Sequence, residues 1–125
     1  MGVTAFRQIN NNSTQTITLI NHENSSNSVT VKPNTTVGIE VWIPWCVSTG
    51  DFKWNHYLEV AKTVYNTGIA INHGLCVIWQ KDNQVCYSTD LQFHDPGTAI
   101  PGVCAINGDR LLTINGDLTI SVSVV

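Results

Sequence analysis

Charge is scarce in this chain. Lys and Arg together number 6 and Asp and Glu 9, so only 12% of the 125 residues are charged and the formal net charge is −3. A typical soluble domain carries about a quarter charged residues. Six scattered basic residues cannot build a cationic groove, which excludes nucleic acid and anionic lipid as charge-driven partners. Long apolar runs are missing too. The longest, Val41 to Val47, has seven residues and contains Pro44, whereas a membrane-spanning helix takes about 20. The start of the chain has no basic segment followed by an apolar core, so a cytoplasmic protein is expected, or one exported without a recognisable signal peptide.

Cysteine chemistry is equally sparse. The four thiols, Cys46, Cys76, Cys86 and Cys104, show no C-x-x-C spacing for zinc or redox work. Four small buried thiols are the expectation. If a pair were to bond, Cys46 with Cys104 is the better candidate. Cys76 and Cys86 are close in sequence, but a two-residue turn at Asp82-Asn83 would set Trp79 opposite Cys86 and turn the two thiols to opposite faces. Catalytic motifs are absent: there is no nucleophile elbow, H-E-x-x-H, P-loop or paired-carboxylate arrangement. His22, His56, His73 and His94 are dispersed. Only His56 with Asp51 suggests an acid–base pair, and His94-Asp95 before Pro96-Gly97 reads as local turn bonding. No enzyme activity, cofactor or metal site is expected.

What the chain does have is alternation. Val37, Ile39, Val41 and Ile43 alternate with Gly38, Glu40 and Trp42, and Leu118, Ile120, Val122 and Val124 with Thr119, Ser121 and Ser123. Ile17 and Leu19, and Val29 and Val31, follow the same period of two, which buries one face of a strand and wets the other. Turn signals recur between these runs, among them Pro33-Asn34, Asp82-Asn83, Asn107-Gly108 and Asn115-Gly116. The two Asn-Gly pairs suggest a meander with two similar tight turns. No segment holds a convincing helical period; the best candidate is Asn55 to Val64, where Leu58, Val60 and Val64 fit a strand as well. The chain is thus expected to form, over residues 1–125, a single all-β domain: an antiparallel β-sandwich, jelly-roll-like, with eight to ten strands and little or no helix.

The aromatic residues point to function. Trp42, Trp45 and Trp54 fall within thirteen residues. Trp79 alternates with Leu75 and Val77 and is assigned to the core. Trp42 shares a strand face with Gly38 and Glu40, opposite the Val/Ile row, so it should lie outside the main core. The loop that follows, through Asp51 and Phe52 to Trp54, Asn55 and His56, combines flat rings with short polar groups. Rings stack on a pyranose face while Asp, Asn and His bond its hydroxyls. The alternative is that Trp42 and Trp54 pack as a second small core beneath this loop.

A further pointer lies at Gln80-Lys81-Asp82-Asn83-Gln84-Val85-Cys86-Tyr87. This stretch resembles the Q-x-D-x-N-x-V-x-Y mannose motif of the monocot bulb lectins, with one residue missing between Asp82 and Asn83. The missing residue breaks the alternation that would aim the polar side chains at one sugar, so the family's residue roles do not transfer. The expected function is a non-catalytic, lectin-like binding module for a glycan. Its contacts would come from Trp42, Trp45, Asp51, Trp54, Asn55 and His56, with Asp82 and Asn83 at the hairpin tip second. Two other readings remain. One is a membrane-surface or lipid-headgroup binding protein, pore-forming included, that uses Trp42, Trp45 and Phe52 as an interfacial patch. The other is a self-assembling structural protein. A homo-oligomer is expected because the Thr- and Ser-rich faces, such as Thr119, Ser121 and Ser123, carry few of the charges that protect sheet edges.

Overall fold

The computed structural model describes residues 4–106 and 108–125. Strands cover 57% of the described residues and helix 7%. Ten strands form two sheets: β1 (Thr4–Asn11), β2 (Thr16–Asn21), β3 (Val29–Val31), β4 (Thr35–Trp42), β5 (Leu58–Asn66), β6 (Ile69–Lys81), β7 (Gln84–Ser88), β8 (Thr98–Ala99), β9 (Gly108–Ile114) and β10 (Ile120–Val124). Two short helical turns accompany them, a 3-10 turn (Ser25–Asn27) between β2 and β3 and α1 (Thr49–Lys53) between β4 and β5. The four-stranded sheet has the order β10-β9-β1-β4 and the six-stranded sheet β3-β2-β5-β6-β7-β8. This is an all-β sandwich. It departs from a wholly antiparallel one in that β1 and β9 run parallel. The strand orders do not establish the finer expectation of a jelly-roll winding.

The alternating rows close the sandwich. Phe6 and Ile9 of β1, Ile17 and Leu19 of β2, Val41 of β4, Leu58 and Val60 of β5, and Leu112 and Ile114 of β9 meet in one buried cluster. Each fully buried aliphatic or aromatic side chain of this kind contributes about 1.5–3 kcal/mol by leaving water. Trp42 faces away from this cluster, as its register with Gly38 and Glu40 requires. It is 43% exposed, with the Arg7 guanidinium 5.5 Å from its ring centroid. Arg7 is held there by Glu40 at 3.1 Å and Asp109 at 3.0 Å.

The β6–β7 hairpin has the expected register. Trp79 pairs with Cys86 and Lys81 with Gln84. Asp82 and Asn83 have φ of 53° and 66°, the left-handed pair that a two-residue turn between twisted strands needs. Cys76 and Cys86 accordingly belong to different clusters, and all four cysteines are free. The Cys46–Cys104 pairing is corrected by the same geometry. Cys46 sits on the outer side of the six-stranded sheet, whereas Cys104 packs against the main core.

Trp79 is buried, but not in the core shared by Leu75. A register shift between the Val60–Cys76 and Ala61–Gly74 pairs leaves Leu75 as an extra residue on β6. Such a bulge resets the phase of the alternation. Leu75 therefore packs on the main core, while Val77 and Trp79 face outward into a second cluster.

The Asn115-Gly116 turn also differs from expectation. Asn115 N donates to Thr119 O at 2.8 Å and Leu118 N to Asn115 O at 2.9 Å, with Leu118 at φ 70°. This closes a three-residue loop rather than a two-residue one. Leu118 thus belongs to the turn, and β10 begins at Ile120. Asn107, half of the other Asn-Gly pair, lies outside the described residues. The strand that follows it, β9, pairs with β1 and β10, so the two-turn meander is not formed.

Candidate functional site

A second core on the outer face of the six-stranded sheet organises the surface. Cys46, Val77, Trp79 and Cys86 are buried there, with Phe52, Tyr57, Leu91 and Phe93 packed against them. Phe52 stacks on Tyr57 at 4.3 Å between ring centroids and meets Trp79 edge-on at 6.5 Å, and Phe93 lies 5.3 Å from Trp79. The expected second core is real, but it is built from Phe52, Tyr57, Trp79 and Phe93 instead of Trp42 and Trp54. The reason is helical geometry. Ser48 caps α1 by accepting from Asp51 N at 3.1 Å, Asp51 accepts in return from Val47 N at 3.0 Å, and the turn so formed points Phe52 inward and leaves Trp54 at its end, 79% exposed.

The second core anchors the segment between β7 and β8. Leu91 and Phe93 tuck into it, so the intervening Asp90, Gln92 and His94 point out. Lys81 locks this segment from the side, through an ion pair to Asp95 at 2.5 Å and a position 5.9 Å from the Phe93 ring centroid. Between the outward residues and β8 lies a cleft of about 280 Å³, lined by Tyr87, Ser88, Thr89, Asp90, His94 and Thr98. A smaller pocket of about 90 Å³ adjoins it across Tyr87 and Thr89, lined mainly by Leu75, Cys76, Leu118 and Ile120.

Asp90 is the centre of the cleft. Its Oδ1 accepts from the Ser88 hydroxyl and from Gln92 N at 3.0 Å, and its Oδ2 is bonded to His94 Nε2 at 2.7 Å. The Ser88 and His94 hydrogen bonds hold this carboxyl below the usual aspartate range. Ser, Asp and His thus meet, but not as a hydrolytic triad. The hydroxyl donates to the carboxylate rather than to the imidazole, so the contact orients the carboxylate and does not activate the serine. A carboxylate oxygen accepts two hydrogen bonds. Among the described residues Oδ1 accepts two hydrogen bonds and Oδ2 one, and Asp90 lines the cleft. Among the described residues no group of three His, Cys, Asp or Glu side chains is arranged to hold a metal ion.

The residues singled out in the sequence do not assemble around one cavity, and none of them lines either pocket. Trp42 lies on the outer face of the four-stranded sheet. Trp45 is half-buried and bridges to Gln80, filling the edge of β6 beyond the start of β5. Asp51 and His56 are not an acid–base pair: they meet through His56 N and Asp51 O at 3.2 Å, while His56 Nε2 lies 3.9 Å from Glu23. Trp54 and Asn55 are exposed, and Asn55 takes φ 67° to end the helical turn. Asp82 and Asn83 are exposed at the hairpin tip. The interfacial patch of Trp42, Trp45 and Phe52 does not form, because Phe52 is spent on the second core. The sequence places His94 in a turn, and Tyr87, Ser88, Thr89, Asp90 and Thr98 carry no motif. The signal that could have found them is the alternation of Leu91 and Phe93 with Asp90, Gln92 and His94.

Among the described residues no helix is long and apolar enough to cross a membrane. No protein-family model, curated protein or solved structure matches the chain.

Proposed function

We propose that this protein is a non-catalytic binding module that takes one residue of a neutral glycan in the Tyr87–His94 cleft. The observation that carries the reading is Asp90, pinned by Ser88, Gln92 and His94 in the wall of the cleft. A fixed carboxylate beside exposed Thr89 and Thr98 hydroxyls and two rings, Tyr87 and His94, suits a sugar. The hydroxyls bond the polar groups and the C–H face lies on a ring. At about 280 Å³ the cleft is at the low end for ligand pockets, which run about 300–1,000 Å³, and so suits a single ring. The net charge of −3 and the lack of a basic patch disfavour anionic ligands.

A glycan array with phosphatidylcholine liposomes as a control tests this, using the wild type with Asp90→Ala, Thr98→Val and Trp54→Ala. Glycan binding that is lost in Asp90→Ala, weakened in Thr98→Val and kept in Trp54→Ala is expected. Binding lost in Trp54→Ala and kept in Asp90→Ala moves the site to the α1 loop. Binding to no glycan, with retention on liposomes, rejects the sugar reading.

A further inference from the structure

Among the described residues the edges of the sandwich are short, covered or charge-bearing, with one exception. β3 has three residues and runs into Lys32-Pro33, and β8 has two. β4 carries Glu40, held by Arg7, and is followed by Pro44. β10 is covered by the 101–103 segment: Val103 N donates to Val122 O, and Val122 N to Pro101 O, both at 2.9 Å. Only glycine permits that cover, because a Cβ on Gly102 would stand 1.9 Å from Val122 O and φ there is +109°. Short strands, charges, prolines and covering loops are the means by which sheets avoid pairing with other chains. The Thr119, Ser121 and Ser123 strand, expected from the sequence to be open, is therefore protected.

The exception is the arm made by β5 and β6. β2 pairs with β5 only from Leu58 to Thr63, and β7 pairs with β6 only from Val77 to Lys81. The ribbon between, closed by Thr67-Gly68, extends beyond both neighbours. Over residues 69–76 the outer edge of β6 has no backbone partner among the described residues. Alternate N–H and C=O groups of such a strand point away from β5. The eighteen residues from Thr63 to Gln80 contain no Asp, Glu, Lys, Arg or Pro. One face of the ribbon continues the core-facing row past the end of the sandwich, exposing Val64 (40%), Ile71 (41%) and Ile69 (65%). Val64 and Ile71 are cross-strand partners on it.

We infer that the arm is a self-association surface, in which the β6 edge pairs antiparallel with the β6 edge of a second copy across a twofold axis. The pairing continues the six-stranded sheet through both molecules and joins their Val64, Ile69 and Ile71 faces. Charge selects this occupant. Antiparallel pairing about a twofold axis sets a strand against itself, so a charge near the axis would meet its like; residues 69–76 include no Asp, Glu, Lys or Arg to do so. The bare edge also favours a strand over a bilayer. Hydrocarbon would leave the outward N–H and C=O groups unsatisfied, whereas a second β6 bonds them. This inference is independent of the glycan reading.

The test is sedimentation velocity of the full chain from micromolar to millimolar concentration, comparing wild type with Ile71→Lys, Ile69→Lys and Ser123→Lys. A reversible wild-type dimer is expected. Either arm lysine weakens it about tenfold or more, because each puts a charge into the apolar Val64, Ile69 and Ile71 face that the pairing joins. Each leaves the thermal melt of the monomer unchanged, since these side chains are solvent-exposed. Ser123→Lys, on the covered β10, leaves the dimer intact. Amide exchange at residues 69–75 slows as concentration rises. A monomer at every concentration, or a dimer indifferent to both arm lysines, overturns the inference. So does a dimer broken by Ser123→Lys alone. A wild type that stays monomeric in solution and floats with phosphatidylcholine vesicles, with loss in Ile71→Lys, overturns it in favour of a membrane contact.

Discussion

Truncating Trp79 to Ala separates the second core from the main one. Trp79 is fully buried, touching Phe52 edge-on at 6.5 Å and Phe93 at 5.3 Å. A Cβ added at Gly97 would come within 3.1 Å of its ring, so the site is tightly packed. Removing a buried Trp side chain costs about 3–5 kcal/mol, with each lost aromatic pair accounting for about 0.5–1.5 of it. In a chain of this length each kcal/mol moves the melting temperature by roughly 3–5 °C, so a fall of about 10–20 °C is expected. Trp79→Phe is milder: it keeps a ring in place and removes an indole N–H that is buried without a hydrogen-bond partner among the described residues. Trp54→Ala, at 79% exposure, is the control and should stay within about 0.5 kcal/mol of wild type. Urea and thermal melts give these values. Amide exchange should show residues 49–54 and 89–97 opening in Trp79→Ala before β1 and β9. A cost below about 1 kcal/mol for Trp79→Ala, or above about 2 kcal/mol for Trp54→Ala, refutes the assignment of the second core.

Three further outcomes are expected. Asp90 is held below the usual aspartate range by Ser88 and His94. Its contribution to stability is therefore present above the unfolded aspartate value and lost as pH falls through the lower folded one, and Asp90→Asn should flatten that acid limb in melts run across pH. Burial pushes the Cys46 thiol up to about 11 and the Cys76 thiol up to about 12. Both should resist iodoacetamide at pH 8 until urea unfolds the chain, and peptide maps without reduction should show neither a 76–86 nor a 46–104 link. Arg110 is buried, and its guanidinium holds the carbonyls of Val103 (2.9 Å), Ala105 and Asp109 (2.9 Å). Arg110→Ala should cost about 2–3 kcal/mol in urea melts and speed amide exchange at Val103.

The parts of the fold legible in the sequence were those governed by neighbours along the chain. A period of two is a property of a strand by itself, so β2, β3 and β4 were readable from their Val, Ile and Leu rows. The Asp82-Asn83 turn specifies the register of β6 and β7 through local φ values, which excluded a Cys76–Cys86 bond. Trp42 on the wet face followed from the same counting. The functional surface was less legible. Crowding of Trp42, Trp45 and Trp54 in sequence suggested one site, but β4 ends between the first two, and the capped turn of α1 sends Phe52 inward and Trp54 out.

Sequence alone determined that this chain builds sheets, where several of them turn, and which faces are wet, because those follow from alternation and backbone preference within a few residues. Tertiary structure alone decided the rest. The bulge at Leu75 reassigned Trp79 to a second core, since an extra residue reverses side-chain direction and only the pairing partner reveals it. That core pulled Leu91 and Phe93 inward and so turned Asp90 and His94 out toward Tyr87 and Thr98. The 101–103 segment covered β10, while the outer edge of β6 over residues 69–76 has no backbone partner among the described residues. Which side chains share a cavity and which edge stays bare depend on contacts between residues distant in sequence, and no local pattern encodes them.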